Sequence, residues 1–506
     1  MTRSGHPYGP SRIATLDGIA DVLAATVPDT LRAAAQTDAA LYIVGDREYS
    51  MSEILDGVEA RARGLVQAGF APGERLGVWL PNGIDCVLWT YAAIVAGGSA
   101  VMIPSRAPAT EAGRVSRVAG ARWVIGPADL ADTSISEQTA QRRFLGGSTS
   151  VALPERAPGD EAVCFTTSGS TGVAKLCALS DRSWAVQVIN AQAASGGSVD
   201  ETMLAMLPMC HSAFLPNVHA NLVQGRRVVQ VPKFDAREVL RIAAEERTRY
   251  VSGSPTMFGL MLRRGDWPNT ALRFRRISYG SAAMPAHWAD ELSGTFGCEV
   301  VHGYGLTEAS GWVSIEQPAD RRDGSVGSLM PGHTDLVTVD VDGRRCAPGE
   351  EGEICVRGPG QMLAYLGLPE ETQETLRGGF VHTGDLGRLD DSGHLWITGR
   401  IKDQINRGGL KIGAREVESV IESLTGVTGV AVVAVPDDVL GERVAAMVET
   451  AAHTPSDIRT HIAHALADYK VPDLVVVVGE LPRNHMGKPN KADIRRDMVR
   501  TARTGK

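Results

Sequence analysis

The 506-residue chain is poor in the features that mark specialised proteins. Its 7 cysteines (Cys86, Cys164, Cys177, Cys210, Cys298, Cys346, Cys355) stand singly, with neither a CxxC pair nor a zinc-like spacing. Neither a disulfide scaffold nor a structural zinc site is expected; the thiols read as buried ones of a reducing compartment. Lysine plus arginine (51) are outnumbered by aspartate plus glutamate (59), the net charge is −8, and no basic block occurs. A nucleic-acid or anionic-membrane partner therefore has no electrostatic support, and a small molecule is the default partner. The opening MTRSGHPYGPSR lacks the apolar core of a secretory signal, so a cytoplasmic location is expected. The longest uncharged run, Cys86 to Pro104, is interrupted by Thr90, Gly97, Gly98 and Ser99. It predicts a buried helix over LWTYAAIVAGG and a strand over SAVMIP, not a membrane span. Internal repeats and low-complexity tracts are absent as well.

What the chain does have is alternation. Strand-like runs such as RLGVWLP, RWVIG, RRVVQVP and RRISYGS alternate with helical patterns such as AREVLRIAAEE and AHWADELSG. This predicts an α/β protein with mostly parallel sheets covered by helices over residues 1–400. After Arg400 the pattern changes to a small α+β unit, 404–506, reached through a connection at 401–403. Its helices are expected over AREVESVIESL and SDIRTHIAHALADY, with Ile458, Ile462 and Leu466 as the inner stripe of the second, and its strands over GVAVVAVP, RVAAMVET and DLVVVVGELP.

Between the strand-like AVCFTT and KLCALS runs TTSGSTGVAK, residues 166–175. The next helix starts only at SDRSWAVQV, capped by Ser180 or Asp181, so the loop joins strand to strand. A Walker A loop must open a helix and needs Gly-Lys, where this chain has Ala174-Lys175. A nucleophile elbow needs glycine at 168, where serine stands, and a following helix as well. A hydroxyl-rich loop with glycines and one lysine suits a polyphosphate: the backbone closes on anionic oxygens and Lys175 supplies a point charge.

Three more segments follow: HGYGLTE at 302–308, HTGDLGRLDDSGHLWITGR at 382–400 and NHMGK at 484–488. In this order, with TTSGSTGVAK, they resemble the ANL superfamily of adenylate-forming enzymes, which includes acyl-CoA synthetases and aryl-acid AMP ligases. The resemblance spans essentially the whole chain. It implies ATP-dependent activation of a carboxylic acid to acyl-AMP with release of pyrophosphate, then transfer to CoA or to the phosphopantetheine thiol of a separate carrier protein. By this resemblance Thr166, Thr167, Ser168, Gly169, Ser170, Thr171, Gly172 and Lys175 would order the β- and γ-phosphates. Gly303 and Tyr304 would meet adenine, Thr307 the α-phosphate, and Glu308 a Mg²⁺ ion. Asp385 would accept the ribose hydroxyls with Arg400 assisting, and Lys488 would bridge α-phosphate and carboxylate. Lys402 or Asp403 would be the pivot of a domain rotation, after which Gly408 and Gly409 face the acceptor channel. The other reading of the two glycines is a plain turn.

The acid pocket is expected around His211, Ser212, Phe214, Tyr279, Gly280 and Gly305. KDQINRGG resembles the aryl-acid ligases, but those carry His-Asn where this chain has His211-Ser212. An amino-acid substrate is disfavoured, because a buried ammonium needs a carboxylate partner and CHSAFLPNVHANLV contains none. An aromatic or other non-amino acid follows. His382, His394, His461 and His464 read as structural or exposed. The alternatives are transfer to an amine or nitrite in place of a thiol, and a non-catalytic nucleotide-binding relative. The exact acid, the acceptor and the oligomeric state are not encoded in any motif.

Overall fold

The computed structural model describes residues 16–37, 41–127, 134–145, 149–167, 175–196, 201–212, 215–264, 272–282, 284, 286–483 and 487–504. The expected buried helix spans Ile84–Val95, and every residue from Cys86 to Val95 is buried. A helix apolar on all sides needs cover on all sides. It finds it between a 7-stranded and a 9-stranded sheet, together with the helix Asp181–Ser195, which is buried over most of its length. Ser180 caps that second helix. The strand after the first helix is Ser99–Met102, parallel to Arg75–Val78 and to Glu161–Thr167.

The 9-stranded sheet is parallel through its middle, with Tyr250–Gly253, Arg276–Tyr279 and Glu299–Leu306 side by side and in register, Tyr279 opposite His302. Its outer face carries the helices Ala236–Glu245, Pro255–Leu262 and Ala286–Phe296, around a cluster that includes Val239, Phe258, Phe274 and Leu292. A 4-stranded antiparallel sheet holds Val381–Leu389 against Leu395–Arg400.

From Gln404 onward a 5-stranded sheet forms around the long pair Val427–Asp437 and Gly441–Thr450. Ala414–Glu422 and Pro455–Ala465 are the helices over one face, with Ile458 and Ile462 fully buried. The second helix ends one residue before Leu466, which still packs against the same cluster from its cap position. Leu474–Val478 joins the sheet parallel to Gly441–Thr450. Among the described residues, no helix is long and apolar enough to cross a membrane.

Candidate functional site

Glu161–Thr167 and Lys175–Ser180 pair antiparallel, with Thr167 opposite Lys175, so the hydroxyl-rich loop is the tip of a hairpin. Residues 168–174, with Ser168, Gly169, Ser170, Thr171 and Gly172, lie outside the described residues. At the root of the tip, Thr166 Oγ1 is buried with no hydrogen-bond partner among the described residues. The Lys175 ammonium sits 4.6 Å above the ring of Tyr365. Tyr365 belongs to the short strand Ala364–Tyr365, which pairs with Lys175–Ser180 so that Tyr365 is opposite Cys177. Its phenol donates to Glu308 Oε1 at 2.6 Å. The segment is stitched down further by Met362 N donating to Glu308 O (2.9 Å) and Leu363 N to Ala178 O (2.8 Å).

The strand Glu299–Leu306 delivers the HGYGLTE residues, with an irregularity between Tyr304 and Gly305, and runs into a tight turn over Thr307–Ala309. Tyr304 is buried, and its hydroxyl donates to Asp385 Oδ2 at 2.8 Å. Arg400, directly across the strand pair from Asp385, places Nε 2.6 Å from Oδ1. Asp385 is only 4% exposed, so both carboxylate oxygens are aimed by fixed partners. Two remaining lone-pair directions can accept hydroxyls, which is the donor set of a ribose. His302 is held neutral: burial, reinforced by the Arg415 charge, pushes its imidazole down to about 3.

Ser212 and Thr307 share a hydrogen bond of 2.7 Å, joining the expected acid pocket to the expected α-phosphate residue. His211 lies beside Ser212 in the turn before the helix Leu215–Val223, and Phe214 lies outside the described residues. Gly305 is backed by Gly311 and Trp312 of the next strand, which leave no room for a Cβ. Tyr279 and Gly280 do not share one surface. The Tyr279 ring stacks on His302 (4.4 Å, 10° between planes) and joins the outer-face cluster, whereas a Cβ on Gly280 would strike the Trp312 ring. Successive strand residues point to opposite faces, so the two neighbours could not both line one pocket wall.

The small unit reaches this site. Gly487 O accepts from Thr256 Oγ1 at 3.2 Å, and Lys488 follows directly. Burial and the Arg400 guanidinium push the Lys488 ammonium down to about 8, with Asp385 opposing. Ile401–Asp403 is a tight turn. Burial, then Arg400, lowers the Lys402 ammonium. Asp403 Oδ2 receives Lys491 Nζ at 3.0 Å, and the same ammonium lies 2.8 Å from Glu418 Oε1. Gly408 and Gly409 form the two-residue turn between Gln404–Arg407 and Leu410–Gly413, with φ of +60° and +89°. Such a hairpin turn favours glycine by itself.

Residues 30–366 match the AMP-binding enzyme family, and 416–488 match the AMP-binding enzyme C-terminal domain. The chain belongs to the AMP-binding enzyme family. This AMP-binding enzyme is 30% identical over 489 residues to the pyochelin synthase PchD of Pseudomonas aeruginosa (strain UCBPP-PA14), covering 90% of this chain and 89% of the relative. It is 32% identical over 466 residues to a feruloyl-CoA synthase of an Amycolatopsis species, covering 89% and 94%. The ATP-bound MatB structure from Rhodopseudomonas palustris is similar with a TM-score of 0.86 at 26% identity, over 94% of this chain and 99% of that one.

Two residues of this AMP-binding enzyme were not singled out in the sequence: Tyr365, which links Lys175 to Glu308, and Trp312, which fills the space above Gly280 and Gly303. Neither stands in a phosphate- or acid-like motif. One expected structural histidine has company: Glu353, Cys355 and His382 bring one donor atom each within 4.8 Å of one another. The Glu353 carboxylate is already engaged by Arg377 (2.9 Å), His382 (2.8 Å) and the Gly384 amide (3.1 Å), so the group works as a hydrogen-bonded brace behind the HTGD turn. Burial pushes the Cys355 thiol up to about 12, which keeps it protonated there. For magnesium, Glu308 fits: a single hard carboxylate, joined to Lys175 through Tyr365, would leave most of an octahedron to phosphate oxygens and water.

Proposed function

We propose that the enzyme activates a carboxylic acid with ATP and passes the acyl group to a thiol, CoA or the pantetheine arm of a carrier protein. The observation that carries this reading is the convergence on Asp385: Tyr304 and Arg400 hold its two oxygens, and Lys488 from the small unit lies within range of the same charges. An acid binder with no activation chemistry would not need a lysine delivered from a separate unit to a ribose-binding carboxylate.

In the first step a carboxylate oxygen of the acid attacks the α-phosphorus of ATP. The bond from that phosphorus to the bridging oxygen breaks, and pyrophosphate leaves with the electron pair. Two anions must approach, so the chain's cations carry the chemistry. Lys175, Thr166, Thr167 and the loop beyond them hold the β- and γ-phosphates. Lys488 lies between the α-phosphate and the incoming carboxylate, and Thr307, hydrogen-bonded to Ser212, orients the same phosphate. Mg²⁺ on Glu308 would supply charge neutralisation across the polyphosphate. In the second step a thiolate attacks the acyl carbonyl and AMP departs as leaving group. The turn 401–403 is the pivot that exchanges Lys488 for the Gly408–Gly409 turn between the steps.

Acid-dependent ATP–pyrophosphate exchange, run across benzoates, cinnamates, aliphatic acids and amino acids, tests the reading. Exchange with non-amino acids is the expected result; exchange with amino acids alone would refute the pocket chemistry, and none at all would refute activation.

A further inference from the structure

Asp385 stands in a bulge, and a side chain on the neighbouring strand fixes it. The strands Gly352–Arg357 and Val381–Leu389 pair antiparallel, with Glu353 opposite Leu386 and Cys355 opposite His382. Between those pairs Ile354 alone faces Thr383, Gly384 and Asp385, so the longer strand folds out of the ladder and its amides need other acceptors. Side chains supply them. Gly384 N donates to Glu353 Oε1 at 3.1 Å and Asp385 N to Thr383 Oγ1 at 3.1 Å, while Thr383 Oγ1 itself donates to Ile354 O at 2.8 Å. Gly384 has a φ of +69°, a conformation that favours glycine.

Glu353 is itself held. Its Oε2 accepts from Arg377 Nη2 at 2.9 Å and lies 2.8 Å from His382 Nδ1, which leaves Oε1 aimed at the Gly384 amide. The carboxylate is 12% exposed, so water does little to weaken these charge-assisted bonds. On its other edge Asp385 pairs with Arg400, and Tyr304 and Arg400 hold its two oxygens. The direction of that carboxylate therefore depends on the bulge behind it as well as on the partners in front. We propose that Glu353 is a positioning residue for nucleotide recognition: acting through the Gly384 amide, it sets the Asp385 carboxylate for the ribose hydroxyls. This rests on the reading of Asp385 as their acceptor and adds the residue that aims it.

The test is calorimetric binding of Mg²⁺–ATP and of the Mg²⁺ complex of 2′,3′-dideoxy-ATP to the wild type, Glu353→Ala, Glu353→Gln and Asp385→Ala, with melting temperature as a folding control. The wild type should prefer ATP by at least about tenfold, the scale of one hydrogen bond to a charged acceptor, and Asp385→Ala should lose most of that preference. In Glu353→Ala the preference should fall at least about fivefold, with ATP weakened and the dideoxy nucleotide bound nearly as before. Glu353→Gln keeps a carbonyl for Gly384 but loses the charge that holds Arg377, so its preference should lie between those of the wild type and the alanine variant. It keeps the test open should the alanine variant not fold. A preference unchanged in every Glu353 variant that folds, or losses equal for the two nucleotides, overturns the positioning role while leaving Asp385 as the ribose acceptor, since a purely structural loss moves no ratio. A wild type that binds both nucleotides alike, or an Asp385→Ala variant that keeps the preference, overturns the ribose reading and the proposal with it.

Discussion

The Tyr365 hydroxyl donates to Glu308 Oε1 at 2.6 Å while the same ring lies 4.6 Å beneath the Lys175 ammonium. One side chain thus positions two charges of opposite sign, the two that the proposed magnesium–polyphosphate complex would meet together. The phenol is kept protonated, its ionisation driven upward by burial and then by the Glu308 charge, so it can donate to the carboxylate. Removing the hydroxyl in Tyr365→Phe leaves the cation–π contact and takes away one hydrogen bond to a charged acceptor, worth about 1.5–3 kcal/mol. The apparent affinity for Mg²⁺ should fall roughly tenfold or more by that arithmetic, with ATP binding in the absence of metal little changed. Calorimetric titration of ATP with and without Mg²⁺ reads both, and equal losses in the two would show that Tyr365 merely packs.

With Lys488 in the proposed role, the first half-reaction should be pH-dependent. Its ammonium, pushed down to about 8 by burial and Arg400, loses its proton as pH rises through that value in the free enzyme. In the proposed role the protonated form meets phosphate, so kcat/KM for ATP should fall about tenfold per pH unit above about 8. Bound ATP favours the charged lysine, which moves the matching limb of kcat to higher pH. Lys488→Ala should lower exchange on the order of 100-fold or more with little change in ATP affinity, because the contact strengthens as charge moves in the transition state. Activity left in Lys488→Arg should show no such alkaline limb, since guanidinium stays charged. An unchanged exchange rate in the alanine variant would remove Lys488 from the mechanism.

The 401–403 turn, the proposed pivot, is tied to the small unit by an ion pair. Lys491 bridges Asp403 of the 401–403 turn to Glu418 of the helix Ala414–Glu422, three residues beyond Lys488. The bridge fixes the turn to the body of the small unit, and we expect it to favour the arrangement that brings Lys488 to the site. Lys491→Met removes the ammonium while keeping most of the apolar stem, and leaves Glu418 its bond from Val432 N. Adenylation should slow by up to about tenfold, the range for a partly buried ion pair, while thioester formation from supplied acyl-AMP holds or rises. Rapid-quench measurement of the two half-reactions separates these outcomes, and parallel losses would mean the bridge serves stability alone.

Much of this was legible in the sequence because it is local. The strand–loop–strand reading of TTSGSTGVAK, the caps around Ser180 and the alternation of strand and helix each depend on neighbours a few residues away, and the structure has them. Tyr365 and Trp312 escaped because their partners lie across sheets: Tyr365 meets Glu308 and Lys175, and Trp312 meets Gly280 and Gly303, through pairings no short window contains. Tyr279 and Gly280 show the same limit from the other side. The sequence reading placed both in the expected acid pocket, but strand parity sends one to the outer cluster and the other to the inner face, and only the layering of helices on the sheet decides which is which.

The Gly408–Gly409 turn gives a last prediction, because two explanations for its glycines differ in kinetics. Both residues have positive φ, and in this arrangement a Cβ on Gly409 would meet nothing within 4 Å. If the turn alone requires glycine, Gly409→Ala costs about 1–2 kcal/mol of local strain and touches both half-reactions alike. If a pantetheine arm passes over the turn, the methyl is harmless while acyl-AMP forms and obstructive afterwards. We expect the second pattern, with ATP–pyrophosphate exchange within about twofold of wild type and thioester formation reduced roughly tenfold, the scale of a steric fault in positioning a reactant. Exchange and thioester assays on Gly409→Ala decide it, and equal reductions in both would leave the turn with no part in thiol access.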